Sequence, residues 1–194
     1  VEEKCTGDPA RRMGNEYLFA QLAQENIGTF EQYRFRKILV TCPHCLNSLG
    51  KDYREFGTSY TVVHHSQLLA ELLAAGRVPL DLAKGMEGLV TFHDPCYLGR
   101  YNDTVEPPRE ALTRLGAKTV EMEKSRKNGF CCGAGGGRIF LEETIGKRVA
   151  KMQEYERTVT TVANSYVRPR VQKYVHNLQA KLDAKAKRVK LHIL

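Results

Sequence analysis

Short apolar runs alternate with amphipathic segments along the 194 residues of the chain. The apolar runs predict buried strands at residues 37–41, 60–63, 89–92, 119–122, 158–162 and 189–193. Between them, apolar residues at helical spacing predict helices at residues 8–27, 66–75, 107–115, 138–152 and 167–178. Strands alternating with helices are typical of βαβ units, so the pattern predicts an α/β fold with short parallel sheets flanked by helices.

Residues that start and stop helices support these boundaries. Asp8 is expected to cap the first helix, with Gly28 ending it. Ser66 is expected to cap the helix that ends before Gly76.

Composition places the chain among ordinary globular proteins. There is no run of about 18 apolar residues that would span a bilayer, and no secretory start. We therefore expect a cytoplasmic protein, at most on the cytoplasmic face of a membrane reached through a partner or a missing segment. The chain begins with Val1 rather than Met, which indicates a processed chain or a piece of a larger polypeptide.

The net charge of +8 is concentrated near the end of the chain. The segment from Arg168 to Lys190 carries eight basic side chains against Asp183 alone. A nucleic-acid binder would spread its charge over a docking face with aromatic rings to stack on, so we expect no nucleic-acid partner. The basic tail is interpreted as a solvated helix face.

All six cysteines fall into three groups, namely Cys5, the Cys42 and Cys45 pair, and Cys96 with Cys131 and Cys132. Cys42 and Cys96 follow predicted strands, at the sheet edge where functional groups gather in parallel α/β folds. Thiols grouped in this way are typical ligands of a soft metal centre. The glycine-rich run that starts at Gly133 supplies the backbone freedom two adjacent cysteines need to reach one centre.

Three other interpretations of the cysteines are open. A secreted disulfide framework is disfavoured by the length of the chain and the metal-ligand spacings. The sequence from Cys42 to Cys45 also resembles a dithiol redox motif, but that leaves the adjacent cysteines unexplained. Zinc accepts the same ligands and is the alternative metal for one of the sites.

A repeat underlies the order of elements. The series from Cys5 through the Cys42 and Cys45 pair recurs from Cys132, with Asn164 and Val167 in place of the pair. We therefore predict one and a half copies of one unit: the C-terminal part of a first unit at residues 1–85, and a second unit, with a degenerate CxxC and a basic tail, at residues 86–194.

The motifs CTGDPARRMGNEYLF, TCPHCLNSLGKDY, HHSQLLAELL, FHDPCYLGRYN and CCGAGGGR carry a specific resemblance over residues 1–155. They resemble the cysteine-rich CCG domain of heterodisulfide reductase catalytic subunits. They are still more similar to the C-terminal part of bacterial iron–sulfur binding reductases of that related group.

The resemblance implies pseudo-repeated CCG-type units that bind one or two iron–sulfur clusters of the 4Fe-4S type. The implied ligands of the first centre are Cys5, Cys42 and Cys45, and those of the second are Cys96, Cys131 and Cys132. Each half offers three thiolates, whereas a four-iron cluster takes about four. At the second centre, Asn164 or a hydroxide would be the fourth ligand, or one iron would stay open to substrate. The remaining alternative is that no cluster forms there.

The implied function is electron transfer within a heterodisulfide reductase-like oxidoreductase. Its partners would be ferredoxin-like, flavoprotein or membrane quinone-linked subunits, or thiol/disulfide substrates. The alternative is a non-catalytic scaffold subunit whose second site holds zinc or nothing. Asp94 and Arg100 are expected to act around the cluster through hydrogen bonds and charge. The histidines His44, His64, His65 and His93 are expected to be structural.

Overall fold

The computed structural model describes residues 2–78 and 89–135. The helices are α1 Asp8–Arg12, α2 Glu16–Phe30, α3 Pro43–Gly50, α4 His65–Ala74, α5 Cys96–Gly99 and α6 Glu106–Arg114. The strands are β1 Ile38–Val40, β2 Val62–His64, β3 Leu89–Val90 and β4 Lys118–Thr119, and 3-10 helices span Asp52–Phe56 and Arg126–Asn128. Within the described residues, no helix is both long enough and apolar enough to cross a bilayer.

The described strands form two parallel pairs. Strand β1 lies beside β2, with Val40 opposite His64, and β3 lies beside β4, with Leu89 opposite Lys118. The expectation of an α/β fold with short parallel sheets is confirmed for this part of the chain. The pseudo-repeat and the boundary after residue 85 stay predictions, because residues 79–88 and everything after residue 135 lie outside the described residues.

The first predicted helix is two helices. The chain breaks at Gly14, whose φ is +85°, and Asn15 then caps α2 by accepting a hydrogen bond from the Leu18 N–H. Asp8 is not a cap, since it lies inside α1 after the N-cap residue Gly7. Gly28 does not end α2, which continues to Phe30 because a glycine in a helix interior lowers helix stability without preventing the helix.

Helix α4 begins directly after β2, earlier than a cap at Ser66 would place it. Its cap is His64, not Ser66: the His64 ring accepts from the Ser66 N–H, and the Gln67 side chain accepts from the His64 N–H. This reciprocal pair is a capping box built on an imidazole. The connection from strand to helix therefore has no loop.

The core lies between α2, β1 and α3. Its buried side chains are those of Phe19, Ala23, Phe30, Ile38, Val40, Leu46, Leu49, Tyr53 and Leu98. Phe19 and Tyr53 meet edge to face with ring centroids 6.2 Å apart, a preferred geometry for aromatic pairs. This packing fixes both the N-terminal end of α3 and the segment that precedes α1.

Gly7 allows the segment before α1 to pass directly over the core. Its φ is +81°, and a Cβ at this position would lie 2.9 Å from Cδ2 and 3.2 Å from Cα of Phe19. Both the backbone conformation and the space therefore require glycine.

Replacing Gly7 by Ala is expected to lower the free energy of unfolding much more than replacing Gly14 by Ala. Both residues have φ near +80°, but no atom lies within 4 Å of a Cβ at Gly14. Gly14→Ala should cost about 1–2 kcal/mol of backbone strain, and Gly7→Ala about 1–3 kcal/mol more from the clash with Phe19. Equal midpoints of urea unfolding for the two variants would contradict the close approach of Gly7 to Phe19.

Candidate metal centre

Cys42 lies at the N-terminus of a helix. It follows β1 as the N-cap residue of α3, and Pro43 occupies the first helical position, where its missing N–H has no cost. The backbone N–H groups of His44 and Cys45 donate toward the Cys42 sulfur. Because a helix N-terminus concentrates unpaired N–H groups, the site favours a negatively charged sulfur.

The two thiols of this loop are electrostatically unequal. The hydrogen bond from Cys45 and those backbone N–H groups lower the pKa of Cys42 to about 5, against the opposing effect of burial. The same hydrogen bond, burial and the charge of Cys42 raise the pKa of Cys45. The loop therefore holds one thiolate and one thiol in the absence of metal.

Cys5 lies in an extended segment that is held by side chains. The Asn26 carbonyl accepts from the Lys4 N–H at 2.8 Å, and its amide nitrogen donates to the Lys4 and Cys5 carbonyls at 3.2 and 3.1 Å. The Tyr53 hydroxyl donates to the Thr6 carbonyl at 3.1 Å and accepts from Asn26. Asn26 and Tyr53 are both buried, so the segment has one well-defined position.

This segment brings Cys5 to the Cys42 and Cys45 loop. The Thr6 hydroxyl lies 3.9 Å from the Cys45 sulfur, and the charge of Cys5 contributes to the raised pKa of Cys45. Cys5 is exposed, whereas Cys42 and Cys45 are half-buried. The three residues predicted as ligands of the first centre therefore lie at one place in the fold, at the end of β1.

His44 connects this loop to its surroundings. Its Nδ1 donates to the Asp8 carboxylate at 2.7 Å, and Arg12 donates to the other oxygen of Asp8 at 3.1 Å. Burial opposes ionisation of Asp8, but the hydrogen bonds and charges of His44 and Arg12 outweigh it and lower the pKa of Asp8. The hydrogen bond that His44 donates to Asp8 raises the pKa of His44 in turn, despite burial.

The imidazole of His44 also faces the region of the second centre. It packs on the Tyr97 ring with centroids 4.2 Å apart, and Tyr97 is the neighbour of Cys96. A Cβ at Gly135 would lie 3.0 Å from His44 Cε1, so Gly135 lies close to the same ring. One imidazole therefore contacts residues near both predicted cysteine sets.

His64 holds the backbone immediately before Cys42. Its Nε2 donates to the Thr41 carbonyl at 3.2 Å, while its Nδ1 accepts from Ser66. Burial and the neighbouring His65 lower the pKa of His64 to about 4, so the ring is neutral at physiological pH. The expected structural role of His64 is consistent with this arrangement.

Cys96 is the first residue of α5. The side chains of His93 and Asp94, shortly before it, form hydrogen bonds with other parts of the fold. Asp94 is 3% exposed and forms two hydrogen bonds with Arg109, at 2.7 and 2.8 Å. Burial raises the pKa of Asp94, but Arg109 and the Arg126 N–H together lower it below its usual value. Asp94 is therefore an ionised carboxylate in a buried ion pair close to Cys96.

Cys131 and Cys132 follow a loop that lies against the segment containing Cys96. His93 Nε2 donates to the Phe130 carbonyl at 2.9 Å. In the adjoining turn, the Ala134 N–H donates to the Cys132 sulfur at 3.5 Å, and Gly133 has a φ of +73°. A positive φ at Gly133 is the glycine-specific conformation that the sequence analysis expected for the run that starts there. Asn164, the other residue predicted to act at this centre, lies outside the described residues.

Within residues 2–78 and 89–135, no group of three or more His, Cys, Asp or Glu side chains is arranged to hold a single metal ion. A four-iron cluster holds its thiolates farther apart than one ion does, because iron and sulfide atoms lie between them. The donor set at the end of β1 consists of thiols, which is the chemistry such a cluster takes.

The sequence analysis did not single out Asn26 or Arg109, which hydrogen-bond to residues close to the cysteines. Asn26 is a polar residue on the apolar face of α2, between Ala23 and Phe30, and that position is a usable signal of a buried hydrogen-bonding role. Arg109 gave no local signal, because its partner Asp94 is distant in sequence and only the fold brings them together.

A family model described as a cysteine-rich domain, CCG, matches residues 1–50 and 90–165. The chain belongs to the CCG family. The matched residues contain all six cysteines, so the resemblance seen in the motifs is confirmed.

Curated relatives of this CCG chain have names from redox biochemistry. It is 46% identical over 149 residues to a probable iron-sulfur-binding oxidoreductase FadF of Bacillus subtilis, covering 76% of the chain and 21% of the relative. It is 44% identical over 143 residues to an EtfAB:quinone oxidoreductase of Syntrophomonas wolfei, covering 74% and 20%. One subunit of the dihydromethanophenazine:CoB–CoM heterodisulfide reductase of Methanosarcina barkeri is 34% identical over 143 residues, covering 70% and 34%.

The chain spans between a fifth and about a third of the length of these relatives. No solved structure matches it.

In metal-free protein, alkylation of Cys42 by iodoacetamide is expected to show an inflection near pH 5, because the thiolate is the reacting form. Cys45→Ala should move this inflection to higher pH, since it removes the side-chain donor that hydrogen-bonds to the Cys42 sulfur. Mass spectrometry of the peptide containing Cys42 measures both rates. An inflection near the ordinary thiol pKa of about 8.5 in the unsubstituted chain would contradict the geometry.

The free energy of unfolding is expected to fall as the pH drops from about 6.5 to about 4. In this range the unfolded chain protonates His64, whose folded pKa is about 4, so acid favours unfolding by up to about 3 kcal/mol. His64→Gln keeps a hydrogen-bonding side chain that does not titrate, and should flatten this dependence in urea unfolding series. An unchanged slope would contradict the burial of a neutral His64.

Proposed function

We propose that the chain binds iron–sulfur clusters and carries electrons within a heterodisulfide reductase-like oxidoreductase. The observation that supports this most directly is the meeting of Cys5, Cys42 and Cys45 at the N-terminus of α3. Thiolates suit iron because they are soft ligands, and the N–H groups around Cys42 stabilise the charge of the bound form.

The first centre would take Cys5, Cys42 and Cys45 as ligands. Their segments are held in place by Asn26, Tyr53 and His64 without any metal. Preformed ligand geometry reduces the ordering cost of binding. The proposed cofactor is of the 4Fe-4S type, and the cluster would supply one-electron chemistry that no side chain provides.

The second centre would take Cys96, Cys131 and Cys132. This ligand set rests on the resemblance to the family, and its fourth ligand would come from Asn164, from hydroxide or from a substrate at an open iron. Residues 1–85 are proposed to be the C-terminal part of a first unit of the pseudo-repeat and residues 86–194 a second unit, so that the two centres have related surroundings.

The proposed partners are other redox subunits. Names of relatives include an EtfAB:quinone oxidoreductase and a heterodisulfide reductase, which favours electron exchange with a flavoprotein, a quinone-linked subunit or a thiol/disulfide substrate. The chain is expected to act on the cytoplasmic side, reaching a membrane through a partner.

Anaerobic purification should give about four iron and about four acid-labile sulfide per filled centre. Cys42→Ser should remove one centre, seen as loss of its paramagnetic signal after reduction, and Cys96→Ser should remove the other. Tyr17→Ser provides the matched control, since that ring is 82% exposed and its loss should leave iron content unchanged.

Zinc without iron in the anaerobic protein would contradict the proposal. So would full iron content in both cysteine variants, because the cluster would then be held by other residues.

A further inference from the structure

The loop that leads to Cys131 is held by side chains rather than by a sheet. It contains the 3-10 helix Arg126–Asn128 and runs on through Gly129 and Phe130 to Cys131. Three side chains from residues 93–100, the segment that also contains Cys96, hydrogen-bond to its backbone. The segment that contains Cys96 is therefore tied, on both sides of that cysteine, to the loop that precedes Cys131.

Asp94 fixes the start of this loop. It accepts the Arg126 N–H at 2.5 Å, and Arg126 has a positive φ of +57°, an unusual conformation for a residue with a side chain. Arg109 holds Asp94 from the opposite side through two hydrogen bonds and also binds Glu121 and the Val105 carbonyl. Both oxygens of the buried Asp94 carboxylate therefore accept hydrogen bonds from Arg109, and one of them also accepts the Arg126 N–H of the loop.

Arg100 fixes the end of the loop. Its Nε donates to the Lys127 carbonyl at 3.0 Å, and its Nη2 donates to the Gly129 carbonyl at 2.6 Å. A guanidinium presents these donors in a rigid fork, so two carbonyls on one side of a turn are bound together. His93 then binds the next carbonyl along, that of Phe130.

Two glycines let the segments approach closely. A Cβ at Gly129 would lie 3.3 Å from the Arg126 carbonyl oxygen and 3.5 Å from Asp94 Cβ. A Cβ at Gly99 would lie 3.5 Å from the same Arg126 oxygen and 3.2 Å from Val105 Cγ1. The hydrogen bonds and the close packing act on the same few residues.

We propose that Arg100 and the Asp94–Arg109 pair are positioning residues that hold Cys131 ready for its metal centre. This deepens the proposed function, on which it rests, and gives Arg100 a role different from tuning the cluster by its charge. Two of its donors are engaged by backbone carbonyls, so it acts through the loop. The loop is expected to be ordered before any iron binds.

The loop contains its own reporter, because trypsin cleaves after Arg126 and Lys127. In metal-free full-length protein, Arg100→Ala should accelerate cleavage at these two bonds about five- to tenfold, since two hydrogen bonds from a charged donor are lost. Arg100→Lys keeps the charge but cannot reach both carbonyls, and should accelerate cleavage similarly. Cleavage after Arg77, measured in the same digest by mass spectrometry, serves as the internal reference.

Arg114→Ala is the matched control. Arg114 is an exposed arginine in the last turn of α6, the helix that also carries Arg109, and its loss should leave cleavage of the loop unchanged. Gly129→Ala tests the same loop without altering Arg100, and should also accelerate cleavage because its Cβ forces the Arg126 carbonyl away. If Arg100→Ala unfolds the chain, cleavage after Arg77 rises too. The rate of loop cleavage in Gly129→Ala then tests whether these contacts hold the loop.

The second readout follows the metal. In anaerobically prepared protein, Arg100→Lys should lose iron from the second centre to a chelator about five- to tenfold faster, with the paramagnetic signal of the first centre unchanged. A charge-tuning role predicts the opposite result, full retention in the lysine variant. If trypsin cleaves the loop in the Arg100 variants no faster than in Arg114→Ala, the positioning role is overturned, whatever the iron content. Absence of iron from the unsubstituted protein would instead overturn the proposed function, and proteolysis would still decide the positioning role.

Discussion

Backbone groups outside helices and sheets must still find hydrogen-bond partners, and this requirement shapes the segments that carry Cys5 and Cys131. Residues 4–6 lie beside no strand in the described part of the fold. Asn26 and Tyr53 instead supply the donors and acceptors that a neighbouring strand would have supplied. The loop before Cys131 is held by Asp94 and Arg100 in the same way. Because side chains can be aimed individually, such segments reach positions that a regular ladder would not allow.

The two regions use different chemistry for the same task. The segment of Cys5 is held by a neutral amide and a phenol, which are inexpensive to bury once hydrogen-bonded. The loop before Cys131 is held by a buried Asp94–Arg109 pair with Glu121 as a second anion. A buried ion pair is costly to desolvate but geometrically strict, so it holds the start of the loop in one position. His44 donates a hydrogen bond to Asp8 of α1, and its ring packs on Tyr97 of α5 and lies close to Gly135.

The short parallel strands explain where the chemistry lies. Strand β1 ends two residues before Cys42, and α3 begins immediately after it, so the open end of the sheet and the positive end of a helix coincide. The hydrogen bond from the Cys45 thiol and the backbone N–H groups at this helix end together lower the pKa of the Cys42 thiol. Since the neighbouring strand β2 ends at His64, that residue is placed to hold the Thr41 carbonyl.

The sequence by itself determined the types of the elements, the parallel α/β class and the grouping of the six cysteines. Period and turn residues are local signals, and the strand before Cys42 and the helix over Glu106–Arg114 were both close to their predicted places. Local signals failed at Asp8 and Ser66, which look like helix caps, because their side chains are engaged by His44 and His64 instead. The approach of Cys5 to Cys45, and the pairing of Asp94 with Arg109, were decided only by the tertiary structure. Contacts between residues far apart in sequence depend on packing of the whole core, which no local pattern records.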